Sequence, residues 1–181
     1  MNRKLLPLLL LAVLALFQSC TGPKGDPGPQ GVPGDSYVGQ TFDIVKVDFT
    51  AANKYSYTLN FKQQNIKVVP TDAVLVYVYW NDAGGLKAYR PLPQTAYLTN
   101  PNGIITYSFD RTDDDMMIFM DGNVNLGSLA TDWTRNFEFR VIVIPSDPLK
   151  RANAEVDLNN YEEVVKAYNI DESKVKKISA Q

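Results

Sequence analysis

Few kinds of side chain in this protein could do chemistry. Among its 181 residues there is one cysteine, Cys20, and there is no histidine. Ser-His-Asp and Cys-His catalysis and His-ligated zinc are therefore excluded, so any catalysis would depend on carboxylates, Lys, Tyr or a hard metal ion. The Asp and Glu residues are scattered, and no pair for glycoside hydrolysis can be recognised. We predict no catalytic residue and no cofactor, and we keep a carboxylate-based hydrolase only as the remotest alternative.

Aromatic side chains are a second group that could bind a ligand, since the chain has 10 Tyr, 8 Phe and 2 Trp. Exposed rings of this kind stack on sugars in carbohydrate-binding β-sandwiches, although most rings here must simply fill the core. Trp80 at a strand end and Trp133 in a loop are the best candidates for stacking on a ligand. The wider set of candidates contains Tyr77, Tyr79, Tyr89, Tyr97 and Tyr107.

Oxygen-bearing side chains alternate at Asp121, Asn123 and Asn125, as they do in calcium-binding loops. The spacing resembles an EF-hand loop. However, Gly127 comes one position late, and Asp132 stands where that loop has glutamate. We expect either a weak calcium site or a solvated turn between strands, and the turn is the plainer interpretation. No other metal site is predicted.

The first twenty residues have the parts of an export signal. Arg3 and Lys4 precede an apolar run from Leu5 to Phe17, which is too short for a comfortable membrane span. The following residues, ending in Ser19 and Cys20, resemble the lipobox of bacterial lipoproteins. That resemblance implies a signal peptide over 1–19, cleavage before Cys20, and acylation of its thiol and new amine. The alternative is an ordinary secretory signal with an incidental cysteine.

Residues 20–36 join the predicted anchor to the rest of the chain. Glycine recurs at every third position, with proline between, as in the Gly-X-Y repeat of collagen. So few triplets favour a monomeric polyproline spacer, reaching roughly 45 Å at about 3.1 Å per residue, over a triple helix. A triple helix remains the alternative if the domain that follows this segment forms a trimer. The glycines are Gly22, Gly25, Gly28, Gly31 and Gly34.

The charge balance narrows the choice of partners. The chain has 18 Lys and Arg residues against 20 Asp and Glu residues, a net charge of −2. Nucleic acid is not expected as a partner, because a phosphate-binding face needs clustered basic side chains. The predicted partners are the membrane, through the lipid, and other envelope proteins or glycans.

Strand patterns fill residues 37–150. Apolar and polar residues alternate from Tyr55 to Lys62 and again from Phe137 to Val143, as they do in half-buried strands. The run from Ala73 to Trp80 is β-branched and aromatic, which is typical of a strand covered on both faces. Short turns between such strands predict an antiparallel β-sandwich in a mainly β fold.

The sequence pattern of residues 151–181 differs from the strand patterns that precede it. A helix is predicted from Asn160 to Tyr168, with an asparagine cap, acidic residues in its first turn, and one apolar stripe that should pack on the sandwich. A short edge strand is predicted over Val175 to Ile178. The helical stripe consists of Tyr161, Val164, Val165 and Tyr168.

Taken together, these features resemble collagen-like-stalk lipoproteins of Bacteroidota. The resemblance lies in the lipobox, the short Gly-X-Y repeat, and the stretches 74–80, 89–93 and 140–145. The resemblance implies an outer-membrane lipoprotein that faces the periplasm or the cell surface. It does not assign an activity to any residue of this chain. We therefore expect a non-enzymatic envelope protein with a structural, adhesive or interaction role. The alternative is a carbohydrate-binding module that assists glycan capture.

Overall fold

The computed structural model describes residues 40–81, 87–145 and 156–180. The predicted signal peptide, Cys20 and the Gly-X-Y segment lie outside the described residues. The described residues form two β-sheets and one α-helix.

The strands are numbered in the order in which they occur along the chain. Their bounds are β1 Thr41–Val47, β2 Ser56–Asn60, β3 Ala73–Asn81, β4 Lys87–Pro91, β5 Gln94–Thr99, β6 Asn102–Arg111, β7 Asp115–Gly122, β8 Phe137–Ile144 and β9 Lys176–Ser179. The helix α1 spans Tyr161–Ala167. Short 3₁₀ turns cover Ala51–Asn53, Leu126–Ser128, Thr131–Trp133 and Glu172–Lys174.

The strands form a five-stranded sheet in the order β4-β3-β8-β1-β9 and a four-stranded sheet in the order β2-β7-β6-β5. The predicted mainly β sandwich with a C-terminal helix is confirmed. One pairing differs from the all-antiparallel expectation, because β9 pairs with β1 in parallel. The physical reason is that β1 and β9 come from opposite ends of the described chain, so no tight turn between them requires antiparallel pairing.

The main core lies between the two sheets. Alternate residues of β3 and β8, such as Val76 and Phe139, meet Ile105 and Ile118 of the smaller sheet, and all four are almost completely buried. Phe49, just after β1, packs its ring against Tyr107 at a centroid distance of 5.7 Å. The inward-facing half of each alternating pattern therefore becomes the core, as the period of two requires.

A second apolar cluster covers the outer face of the larger sheet. Tyr77 of β3 and Ile142 of β8 are buried there beneath Val164 of α1 and Ile170. The hydroxyl of Tyr77 donates a hydrogen bond of 2.7 Å to the carbonyl oxygen of Leu158. Asn160 caps α1 by accepting hydrogen bonds from the backbone N–H groups of the first turn, as predicted. The C-terminal segment thus forms a third layer on the sandwich.

Arg140 of β8 lies at the centre of this outer layer, with its side chain buried. Its Nε and a terminal nitrogen donate to the two carboxylate oxygens of Asp43 at 2.7 and 3.0 Å. The guanidinium also donates to Glu172 at 2.5 Å and to the hydroxyl of Tyr161. It lies 4.6 Å from the ring centre of Tyr89. Burial opposes the charge, but the hydrogen bonds to Asp43 and Tyr161 raise the pKa of Arg140 above its usual value.

Replacement of Asp43 by alanine is expected to destabilise the fold by about 3 to 5 kcal/mol, because it leaves a buried guanidinium without its main partner. Arg140→Met should have a comparable effect. The double variant Asp43→Leu, Arg140→Met should lose less than the sum of the two, because no buried charge remains. Urea unfolding measures all three. The control is Lys62→Ala, which breaks an exposed ion pair with Asp114 and should change little. A negligible loss for Asp43→Ala would contradict this role.

Candidate functional site

The fold brings the two tryptophans of the chain together. Trp80 lies near the end of β3, and Trp133 ends the 3₁₀ turn Thr131–Trp133. Their ring centres are 6.2 Å apart, with the planes inclined at 55°. Both rings are partly buried and pack against the main core. The residues singled out from the sequence for ligand stacking are therefore neighbours at one end of the sandwich.

Hydrogen bonds hold the segment that carries Trp133. The buried hydroxyl of Tyr107 donates to the carbonyl oxygen of Trp133 at 2.7 Å, and burial raises the pKa of Tyr107 above its usual value. The backbone N–H of Phe49 donates to the carbonyl oxygen of Thr134 at 2.8 Å. Asp48 accepts from the Arg135 guanidinium at 2.8 Å and from the Asn136 N–H at 2.9 Å. The turn is thus tied to the core and to the end of β1.

A pocket of about 700 Å³ opens beside the tryptophans. This volume lies within the range of sites that bind small molecules. The ends of β1, β3 and β8, the strand β9 and the turn after Thr131 contribute to its wall. Its apolar and aromatic lining consists of Val45, Tyr79, Trp80, Trp133 and Phe137.

The rest of the lining is polar and carries both signs of charge. Arg135 forms an ion pair with Asp48. Lys46, Lys177 and Glu138 form no ion pair within the described part of the chain. The Oε1 atom of Glu138 is buried and has no hydrogen-bond partner among the described residues. A buried acceptor in that state costs free energy until a donor reaches it. The polar lining residues are Lys46, Asp132, Arg135, Asn136, Glu138 and Lys177.

The backbone beside the pocket departs from regular geometry. The pairing of β1 with β8 shifts between Ile44 and Val47, so that two residues of β1 stand opposite Glu138 alone. The second of these, Lys46, has φ +60°, and Asn136 next to β8 has φ +58°. Positive φ is uncommon outside glycine, and bulges of this kind redirect side chains next to functional sites. Lys46 and Asn136 both line the pocket, whereas the other non-glycine residues with positive φ, such as Lys54 and Asn65, do not.

The other aromatic candidates lie in several places. Tyr79 lines the pocket, whereas Tyr107 is buried in the main core and Tyr77 beneath the C-terminal segment. Tyr89 packs against Tyr161, with ring centres 4.5 Å apart. Tyr97 is 80 % exposed on the outer face of the smaller sheet. Of these five candidate tyrosines, only Tyr79 lines the pocket together with the two tryptophans.

The three residues of the calcium hypothesis lie at the end of β7 and in the segment that follows it. Each side-chain oxygen accepts a backbone N–H: Asp121 from Gly122 at 2.7 Å, Asn123 from Ile104 at 2.7 Å, and Asn125 from Gly127 at 3.0 Å. Within residues 40–81, 87–145 and 156–180, no group of three or more His, Cys, Asp or Glu side chains is placed to hold a metal ion. A calcium site here stays a prediction.

No protein-family model, curated protein or solved structure matches this chain. Within the described residues, no helix has the length and apolar character needed to cross a membrane. The function of the pocket must therefore be inferred from the residues that line it.

Sequence reasoning did not find the charged members of the site. Lys46, Glu138 and Lys177 lie in strands whose alternation marks them only as outward-facing residues. Asn136 offered a weak signal, because asparagine tolerates the left-handed conformation better than most residues do. Their convergence depends on the β1–β8 bulge and on β9 joining the sheet.

Replacement of Tyr107 by phenylalanine is expected to disturb the site selectively. The change removes the hydrogen bond to Trp133 and should cost about 1 kcal/mol of unfolding free energy. Because both tryptophans of the chain line the pocket, tryptophan emission reports on this site alone. We expect an altered emission spectrum in the folded variant. The control Tyr97→Phe should leave the spectrum unchanged, and an unaltered spectrum in Tyr107→Phe would contradict the positioning role.

Proposed function

We propose that this chain is a non-enzymatic, lipid-anchored protein of the cell envelope whose β-sandwich acts by binding a carbohydrate. The proposal rests mainly on one observation: both tryptophans of the chain line a single pocket of about 700 Å³. The anchor and the spacer come from the sequence alone, through Cys20 and the Gly-X-Y repeat.

The mixed lining of the pocket supports a sugar as its ligand. A sugar ring presents C–H groups on its faces and hydroxyl groups around its edge. Trp80 and Trp133 offer apolar ring surface for the former. The carboxylate of Glu138 accepts hydrogen bonds from hydroxyl groups, and Lys46 and Lys177 donate to their oxygens. One ligand class thus uses both halves of the lining.

A second candidate function is adhesion through contacts with other envelope proteins. The observation that favours it is the outer face of the smaller sheet, where exposed Tyr97 stands directly opposite Ile104, which is 38 % exposed. Exposed aromatic side chains are enriched in protein interfaces. This face lies apart from the tryptophan pocket, so the two functions can be tested with different variants.

Glycan-array binding by the full-length protein, followed by titration of tryptophan emission, tests the carbohydrate proposal. Trp133→Ala is expected to weaken binding about tenfold or more, equivalent to about 1.4 kcal/mol, because the stacking surface is lost. Trp133→Phe keeps a ring in place and should retain part of the affinity. Calorimetry replaces emission as the readout for these two variants.

The matched control for this test is Tyr97→Ala, which removes an exposed ring elsewhere. It should bind the glycan like the parent protein. If Tyr97→Ala loses binding and Trp133→Ala does not, the site belongs to the smaller sheet. If no glycan binds, the carbohydrate proposal is wrong.

The anchor is tested by replacing Cys20 with serine. Because acyl chains on this residue are proposed to hold the protein on the membrane, Cys20→Ser should move it from the membrane fraction to the soluble fraction. Immunoblotting of the two fractions measures the shift. Thr21→Ser, which leaves the thiol in place, should stay with the membrane. A Cys20→Ser protein that remains in the membrane fraction would overturn the lipid anchor.

A further inference from the structure

Lys46 occupies a backbone position that a lysine enters at a cost. Its φ of +60° falls in the left-handed region, which glycine takes without a steric penalty. The residue belongs to the bulge between Ile44 and Val47, and its side chain lines the pocket. Strained residues of this kind persist where the surrounding structure requires them, and they cluster at ligand sites. Lys54 has a similar φ outside the pocket, so the observation specific to Lys46 is that the bulge places its side chain in the pocket lining.

Lys177 brings a second ammonium group to the same pocket. It lies on β9, next to β1, and its side chain is exposed. Its neighbour Lys176 is engaged, since its Nζ donates to the carbonyl oxygen of Gln64 at 2.9 Å. Neither Lys46 nor Lys177 has an ion-pair partner within the described residues. Asp132 and Glu138 line the same pocket, so its overall charge is balanced, and the two ammonium groups offer an anion local, charge-assisted hydrogen bonds.

Glu138 sets a further requirement on the ligand. It stands opposite the Val45–Lys46 bulge, and its buried Oε1 has no donor within the described residues. A ligand suited to the whole pocket therefore supplies hydrogen-bond donors as well as negative charge. A simple inorganic anion lacks the ring surface that suits the tryptophans, and a neutral sugar lacks the charge. A sugar with a carboxylate or sulfate group has the ring, the hydroxyl groups and the charge.

From these three observations we infer that the pocket recognises an acidic carbohydrate. Lys46 and Lys177 bind its carboxylate or sulfate group, Glu138 accepts hydrogen bonds from its hydroxyl groups, and the sugar ring lies against the tryptophans. This inference rests on the proposed function, because it names the class of sugar that the same pocket takes.

Three probes of matched length separate the contributions: a galacturonic acid trisaccharide, a sulfated galactose trisaccharide and the neutral galactose trisaccharide. Titration of tryptophan emission in the full-length protein gives each affinity. We expect at least one acidic probe to bind about tenfold or more tightly than the neutral one, as a charged hydrogen bond allows. This advantage should shrink as salt is raised, because screening weakens charge interactions at an exposed site. The two acidic probes distinguish carboxylate from sulfate.

Lys46→Gly and Lys54→Gly form a matched pair of variants. Lys54 is also an exposed lysine with positive φ, at +56°, but it does not line the pocket. Glycine relieves the backbone in both, so neither variant should melt at a lower temperature than the parent. Lys46→Gly should lose about tenfold or more in affinity for the acidic probe and less than that for the neutral probe, whereas Lys54→Gly should change neither affinity. Lys177→Gln should behave like Lys46→Gly.

The outcomes separate this inference from the proposed function. Acidic preference that disappears in Lys46→Gly and persists in Lys54→Gly supports the inference. Equal binding of acidic and neutral probes, still dependent on Trp133, overturns the inference and leaves the proposed function in place. Acidic preference that is unchanged in Lys46→Gly and Lys177→Gln also overturns it. Failure of every glycan, on the array and among these probes, overturns both.

Discussion

The buried ion pair between Arg140 and Asp43 is the interaction on which the rest of this arrangement depends. It links β8 and β1 through two hydrogen bonds on the outer face of the larger sheet. The planar guanidinium has further donors, and these reach Tyr161 on α1 and Glu172 beyond it. One side chain therefore joins two strands to the C-terminal segment. Since β9 follows that segment, the same contacts support the placement of Lys177 beside the pocket.

The pocket at the end of the sandwich depends on a second set of constraints. Asp48 holds Arg135 and Asn136, and Tyr107 holds Trp133, so the wall of the pocket is positioned before any ligand arrives. A site that is already ordered loses less conformational entropy on binding. The strained backbone at Lys46 and the unsatisfied oxygen of Glu138 are the costs of this arrangement. Both lie in the pocket wall, where a ligand can compensate for them.

The local patterns of the sequence were reliable where one face of an element meets a core. The alternation of residues 137–143 predicts β8, and Asn160 with its following acidic residues predicts the start of α1. The burial of Arg140 could not be predicted in this way, because a charged residue at a polar position of an alternating strand is predicted to face solvent. It is buried only because the C-terminal segment covers that face. The parallel pairing of β9 with β1 could not be predicted from the sequence for the same reason, since it depends on where a distant segment packs.

The residue types that limit the possible functions are visible in the sequence alone: one cysteine, no histidine, two tryptophans and a glycine repeat. These features predict a binding protein and name Trp80 and Trp133 as its candidate residues. The meeting of those two rings, and of Lys46 and Lys177 with Glu138, arises from the folded chain. Hydrophobic periodicity is a local property that assigns residues to faces. Convergence between distant segments requires sheet order, a bulge and side-chain hydrogen bonds, which become defined when the layers pack together.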